Sequence, residues 1–294
     1  MSTREIFDSR IESGLLLLPT LLVTVVFLYY PTALAFRTSF FDSSFGRAEV
    51  FVGLENYVEL LTSSGYHQSI IISVVFAAVV VVGVVVVSLY LTFLIHEVDT
   101  GQGLYLISVI WPYALPPAVG ALVFLFITHP TLGVLTGPIE SLGVEVYWFN
   151  NGSQAFVVVA LAAIWKQIGY NVIFMIAAMN NVPDTLTETA ELDGVGGLRR
   201  LVSVYIPIMT PTIFFLVIIN TIYAFFGTFA FVDLLTSGGP SNATNILIFN
   251  LYQEGFSFFN FGIASAKSVV LFVIVGVLMF VQFQITDKYS YYGG

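Results

Sequence analysis

Apolar residues along this chain fall in long unbroken runs, separated by polar stretches rich in Gly, Pro and Asn. A bilayer core of roughly 30 Å needs about 20 apolar residues for each helical crossing. Six runs reach that length, at 14–36, 70–95, 104–127, 155–179, 208–231 and 262–285. Backbone groups find no water to bond in lipid, so each run predicts a helix. The pattern therefore predicts an all-α integral membrane protein with six transmembrane helices, lying in the cell membrane. No small-residue cleavage site follows the first run, which is expected to stay as a helix and not be removed as a signal peptide.

Pro112, Pro116 and Pro117 interrupt the third run. Missing N–H donors there predict a packing kink, with a broken segment lining a translocation path as the alternative. The Val-rich stretch at 79–87 predicts a lipid-facing helix. Residues 1–65 are expected to form one helix and an outer loop ahead of a five-helix block at 66–294.

The basic residues give the orientation, because short loops rich in Lys and Arg stay on the cytoplasmic side. Arg4, Arg10, Arg199, Arg200 and Lys288 collect on one side, against Arg37 and Arg47 on the other, while Lys166 and Lys267 fall inside helices. Both termini are thus expected in the cytoplasm. The outer side receives three longer loops, near 37–69, 129–154 and 232–261, which suit the docking of another protein.

Composition narrows the functional classes. With 57% hydrophobic and 9% charged residues and a mean hydropathy of +0.93, the chain lies outside the range of soluble domains. A net charge of −9 argues against nucleic acid as a partner. The acidic balance, with a pI near 4.6, suits a host whose salt screens surface repulsion. Cys is absent, which excludes disulfides and thiolate chemistry. His67, His96 and His129 are scattered without metal-ligand spacing, so neither a metal site nor a catalytic residue is expected. No GxxxxGK[ST] loop is present to hold ATP phosphates. The run Ser237-Gly238-Gly239-Pro240 resembles an ATPase signature but lies in an outer loop and predicts a turn. Asn151 and Asn242 begin sequons of a kind that recurs by chance.

Between the fourth and fifth runs the chain leaves the membrane over 180–207, reading NNVPDTLTETAELDGVGGLRRLVSVYIP. Asp184 is placed to N-cap a short helix, with Gly194, Gly196 and Gly197 to stop it. A second amphipathic segment at 198–206 leads to Pro207 and back into the membrane. The loop is thus expected to be a compact helix-turn-helix.

Glu188, Ala190, Gly194, Val204, Ile206 and Pro207 resemble the "EAA" loop of the permeases of binding-protein-dependent ABC importers, with Gly six residues and Pro nineteen after Glu188. Thr189, Glu191 and Val195 depart from the family pattern. The likeness extends to FVGLENYVELL (51–61), WPYALPPAVGALVFLF (111–126), WKQIGYN (165–171), NTIYAFFGTF (220–229), LTSGGPSNAT (235–244) and YQEGF (252–256), and is strongest to permeases of carbohydrate and glycerol-phosphate importers. It implies the type I importer permease fold, with a coupling helix in which Glu188, Ala190, Asp193 and Gly194, followed by Pro207, meet an ATPase. It also implies the partners: a second homologous permease, two copies of a cytoplasmic ATPase that binds ATP and Mg, and an external solute-binding protein. The chain itself would need no cofactor. The implied solute is glycerol-3-phosphate or a related sugar or sugar phosphate, moved by alternating access. An oligosaccharide permease and an ion-coupled secondary transporter are the alternatives.

Charges inside a membrane helix cost roughly 2.5–3.5 kcal/mol on insertion scales, so Lys166 and Lys267 call for a reason. Lys166, Gln167, Tyr170 and Asn171 form a polar stripe on the fourth helix, and Asn220 and Tyr223 form another on the fifth. An anionic solute would explain both charges, with Lys166, Tyr170, Asn171, Asn220, Tyr223 and Lys267 as candidate contacts along its path and Lys166 holding a phosphate or hydroxyl-rich solute near the midplane. Snorkelling of Lys267 to the interface and an interhelical hydrogen bond from Asn220 are the simpler explanations for those two residues.

Overall fold

The computed structural model describes residues 10–289, and side chains over 14–286. Arg4 lies outside the described residues, as do the side chains of Arg10 and Lys288. Among the described residues, five helices are long and apolar enough to cross a membrane: Gly14–Thr38, Ser64–His96, Gly152–Met179, Gly197–Leu235 and Phe261–Thr286. They cover five of the six predicted runs, and most extend beyond them.

The third run differs from the expected kink. It consists of two helices, Gln102–Ala114 and Pro117–Ile127, bent by 104°. At a 1.5 Å rise per residue, halves of 13 and 11 residues extend only about 20 and 17 Å, so neither crosses a 30 Å core alone. The break falls at Leu115, before the paired prolines, whereas Pro112 stays inside its helix. Two adjacent residues without N–H groups remove successive helical hydrogen bonds, which turns a kink into a break.

The described residues form two compact units. One comprises the described part of residues 1–63 with Leu251–Val270. Its helix Gly14–Thr38 buries none of its apolar window, as expected of a helix whose solvent is lipid. A two-residue ladder follows, Phe41–Asp42 antiparallel to Val50–Phe51, and Asn56 fastens it by donating from Nδ2 to the carbonyls of Ser39 (2.9 Å) and Phe41 (3.0 Å). Phe45 N–H donates to the Phe259 carbonyl, which ties this loop to the 251–270 segment.

The other unit comprises Ser64–Asn250 with the described part of 271–294. Its principal contact is between Ser64–His96 and Gly152–Met179. Phe76 meets Phe156, Gly83 faces Ile164, and the Ser88 hydroxyl donates to the Ile168 carbonyl. Numbers rise together in this series, so the two helices run parallel. The chain must therefore recross between them, and only the bent pair can carry it. The fifth span runs the other way against the fourth, because Ala163 meets Tyr223 and Asn171 meets Asn220. These directions bring His96, Met179 and the 180–207 loop to one face.

Candidate functional site

At that face the loop folds from local rules. Its short helix is Asp184–Leu192, and the capping residue is Pro183, whose side chain gives no cap hydrogen bond. Asp184 is therefore the first helical residue and not the predicted N-cap. A carboxylate there still favours the positive end of the helix dipole. The other end closes as a Schellman motif: Val195 N–H donates to the Ala190 carbonyl and Gly194 N–H to that of Glu191, both at 2.9 Å. Gly194 adopts φ +73°, which a Cβ would strain.

The predicted second segment is no separate helix. From Gly197 the chain is already the start of the long helix that continues to Leu235. A π turn at Leu201–Tyr205 precedes Pro207, with Ile206 N–H donating to the Leu201 carbonyl, so the helix passes its missing donor without breaking.

Two fastenings join this loop to the bundle. Phe93, Met175, Met179, Val182, Leu201, Tyr205, Met209 and Leu216 form one buried cluster, drawn from the ends of the second and fourth spans and the start of the fifth. Beside it, the buried guanidinium of Arg200 forks between Glu191 on the short helix and Glu97 just past the second span. Glu191, one of the departures from the family loop, is thus one jaw of an ion clasp. What remains uncovered is the short helix's outer surface: Glu188 and Asp193 are exposed, as are Leu186 and Leu192, the latter 89% accessible. Ala190 is buried towards the bundle.

The candidate path residues divide at membrane depth. Asn171 and Asn220 are wholly buried and exchange hydrogen bonds, Nδ2 of Asn220 to Oδ1 of Asn171 at 2.7 Å and the reverse at 3.1 Å. Tyr223 donates to the Ala163 carbonyl at 3.0 Å. Lys267 is buried and pairs with Glu254, so it does not snorkel as the simpler explanation expected. Lys166 lies midway along its helix, donates to the Tyr113 carbonyl at 2.6 Å and sits over the Tyr113 ring, 4.6 Å from its centroid. Tyr170 tilts against the same ring at 5.4 Å. The structure therefore gathers Lys166 and Tyr170 at the break in the third span, and places Asn171, Asn220 and Tyr223 in helix packing.

Among the described residues no group of three or more His, Asp or Glu could hold a metal ion. His96 packs edge-on against Tyr205, and His129 through Nδ1 meets Thr131. Asn151, the first sequon residue, caps the fourth span by accepting from Gln154 N–H at 3.0 Å. Ser237–Pro240 lies in a turn, with Gly239 N–H donating to the Thr236 carbonyl at 2.9 Å.

The apolar spans, the broken crossing and the helical loop fastened to three span ends match the fold of the transmembrane subunits of ABC importers. The chain belongs to the family of binding-protein-dependent transport system inner membrane components, whose model matches residues 85–290. It is 36% identical over 289 residues to the sn-glycerol-3-phosphate transport system permease protein UgpA of Agrobacterium fabrum, covering 98% of this chain and 99% of that one. It is 38% identical over 276 residues to the protein of the same name from Yersinia pestis, covering 93% of each chain. Its fold matches a chain of a bacterial ABC transporter involved in the import of the acidic polysaccharide alginate, with a TM-score of 0.82 at 20% identity, covering 96% of this chain and 98% of that one. A structure of the alginate transporter in complex with its pentasaccharide-bound periplasmic protein matches at 0.81, also at 20% identity, over 95% and 96% of the two chains.

Proposed function

We propose that this permease forms half of the translocation path of an importer for glycerol-3-phosphate or a closely related sugar phosphate. The observation that carries this is the near full-length likeness to glycerol-3-phosphate permeases at 36–38% identity, which extends beyond the loop common to the family. In this reading both termini are cytoplasmic, and the short helix Asp184–Leu192 docks on an ATPase through Glu188, Asp193 and the turn at Gly194. Ala190 and Pro207 set its seat on the bundle and its return into the membrane. The hydrolytic site, with its ATP and Mg, belongs to two copies of that ATPase. A second homologous permease completes the path, and an external binding protein delivers the solute.

Force enters through the loop. Closure of the ATPase dimer displaces the Asp184–Leu192 helix, and the Arg200 clasp with the buried cluster passes that displacement to the second, fourth and fifth spans. Exposed Leu186 and Leu192 support the docking role, since large apolar side chains on a polar face mark an interaction surface. For the solute, Lys166 and Tyr170 are the preferred contacts of the six candidates. Three N–H groups of an ammonium and one bond to Tyr113 leave donors for a phosphate.

The test is uptake by the complex, reconstituted with its own ATPase, sister permease and binding protein, across a panel of glycerol-3-phosphate, glycerophosphodiesters and neutral sugars. ATP-dependent accumulation of glycerol-3-phosphate is expected. Accumulation of a neutral sugar without glycerol-3-phosphate overturns the solute assignment.

A further inference from the structure

A helix carbonyl ordinarily accepts from the N–H four residues on, or three in a tighter last turn. For Tyr113 those residues are Pro117 and Pro116, and neither has an N–H. Its carbonyl is therefore orphaned by the sequence, at a depth where lipid offers no donor. Its neighbour Pro112 has Leu115 N–H at 3.2 Å, so the deficit falls on Tyr113 alone of this pair.

The fourth span supplies the missing donor. Lys166 and Gly169 are three residues apart and share a helix face. Gly169 lies so close to the Gln102–Ala114 helix that a Cβ would stand 2.8 Å from the Ile110 Cα. With the backbones at that distance, Ile110 opposes Gly169 and Tyr113 opposes Lys166. The ammonium reaches the orphan carbonyl at 2.6 Å, with the Tyr113 ring beneath it. Trp111 against Trp165, centroids 5.8 Å apart, closes the same seam.

We propose that Lys166 is a positioning residue which holds the third span at its break by standing in for the N–H that Pro116 and Pro117 lack. A buried cation and a broken helix, each costly alone, then satisfy one another. The inference concerns the shape of the path and does not depend on which solute passes.

The test is a cycle in the assembled complex: wild type, Lys166→Met, Pro117→Ala and the double variant, read by Tm in detergent. Pro117→Ala returns an N–H four residues beyond Tyr113. Lys166→Met is expected to lower Tm by several degrees in the wild-type background and much less in the Pro117→Ala background. Equal losses in both overturn the proposal. Should Pro117→Ala not assemble, Leu115→Cys gives a second readout, because the chain has no Cys of its own. Maleimide labelling at position 115 should change severalfold on adding Lys166→Met and stay at the parental rate with Lys166→Arg. Identical rates in all three sink the proposal. Wild-type uptake in Lys166→Met together with a non-additive cycle would remove the solute contact and support the cap.

Discussion

Asn171 on the fourth span and Asn220 on the fifth face each other, wholly buried, and exchange amide hydrogen bonds at 2.7 and 3.1 Å. Asn171 also donates to the Gln167 carbonyl, so its amide is aligned before it meets its partner. Removing one member leaves the other unsatisfied in an apolar interior, whereas removing both leaves no orphan. Asn171→Leu or Asn220→Leu alone is expected to destabilise the complex by about 1–2 kcal/mol. The double variant should lose less than the sum of the two, read by Tm in detergent. Additive losses would show that the pair is not a coupled unit.

Arg200 tests the transmission route. Its guanidinium is buried but its partners are not equally so, with Glu97 34% and Glu191 60% exposed, so solvent screens part of the attraction. Arg200→Met should cost about 1–3 kcal/mol. It should also raise ATP hydrolysed per solute transported, because the short helix loses its tie to the second span. Arg200→Lys should restore stability in part and coupling poorly, since one ammonium does not reproduce a fork. Unchanged coupling in an assembled Arg200→Met complex would remove the clasp from the mechanism.

The turn at Gly194 makes a sharper claim about one φ angle. Gly194→Ala keeps the small side chain but strains φ +73°, at a cost of about 1 kcal/mol. Weaker association with the ATPase subunit is expected, with the membrane spans intact by circular dichroism. Wild-type ATPase affinity would show that the Schellman turn is not what presents this helix.

Gly169→Val should separate the helices at Ile110 and draw the Tyr113 carbonyl away from Lys166. Loss of stability should exceed that of Ala162→Val, which overpacks the same helix away from the break. Similar losses would mean that the seam at the break has no special sensitivity.

Asn151→Ala removes the cap of the fourth span and should cost about 1 kcal/mol, while Asn151→Ser should cost little. Comparable Tm values for the Ala and Ser variants would count against capping.

Much of this was legible in the chain itself. Six apolar runs determine the number of crossings, since helix length and bilayer thickness are fixed quantities, and the residues from Glu188 to Pro207 mark the importer loop by type and spacing alone. Gly194 announces its turn because few other residues tolerate that φ. The prolines at 112, 116 and 117 show that the third span is irregular. They do not show whether it kinks or breaks, because that depends on whether something outside the helix donates to the orphaned carbonyl. Tertiary structure decided that by bringing Lys166 to Tyr113, 53 residues away. It likewise decided that Glu191 joins Glu97 on Arg200, and that Lys267 joins Glu254 and does not reach for the interface. A sequence carries each charge and each missing donor as a demand, and only the packing of the helices determines which partner meets it.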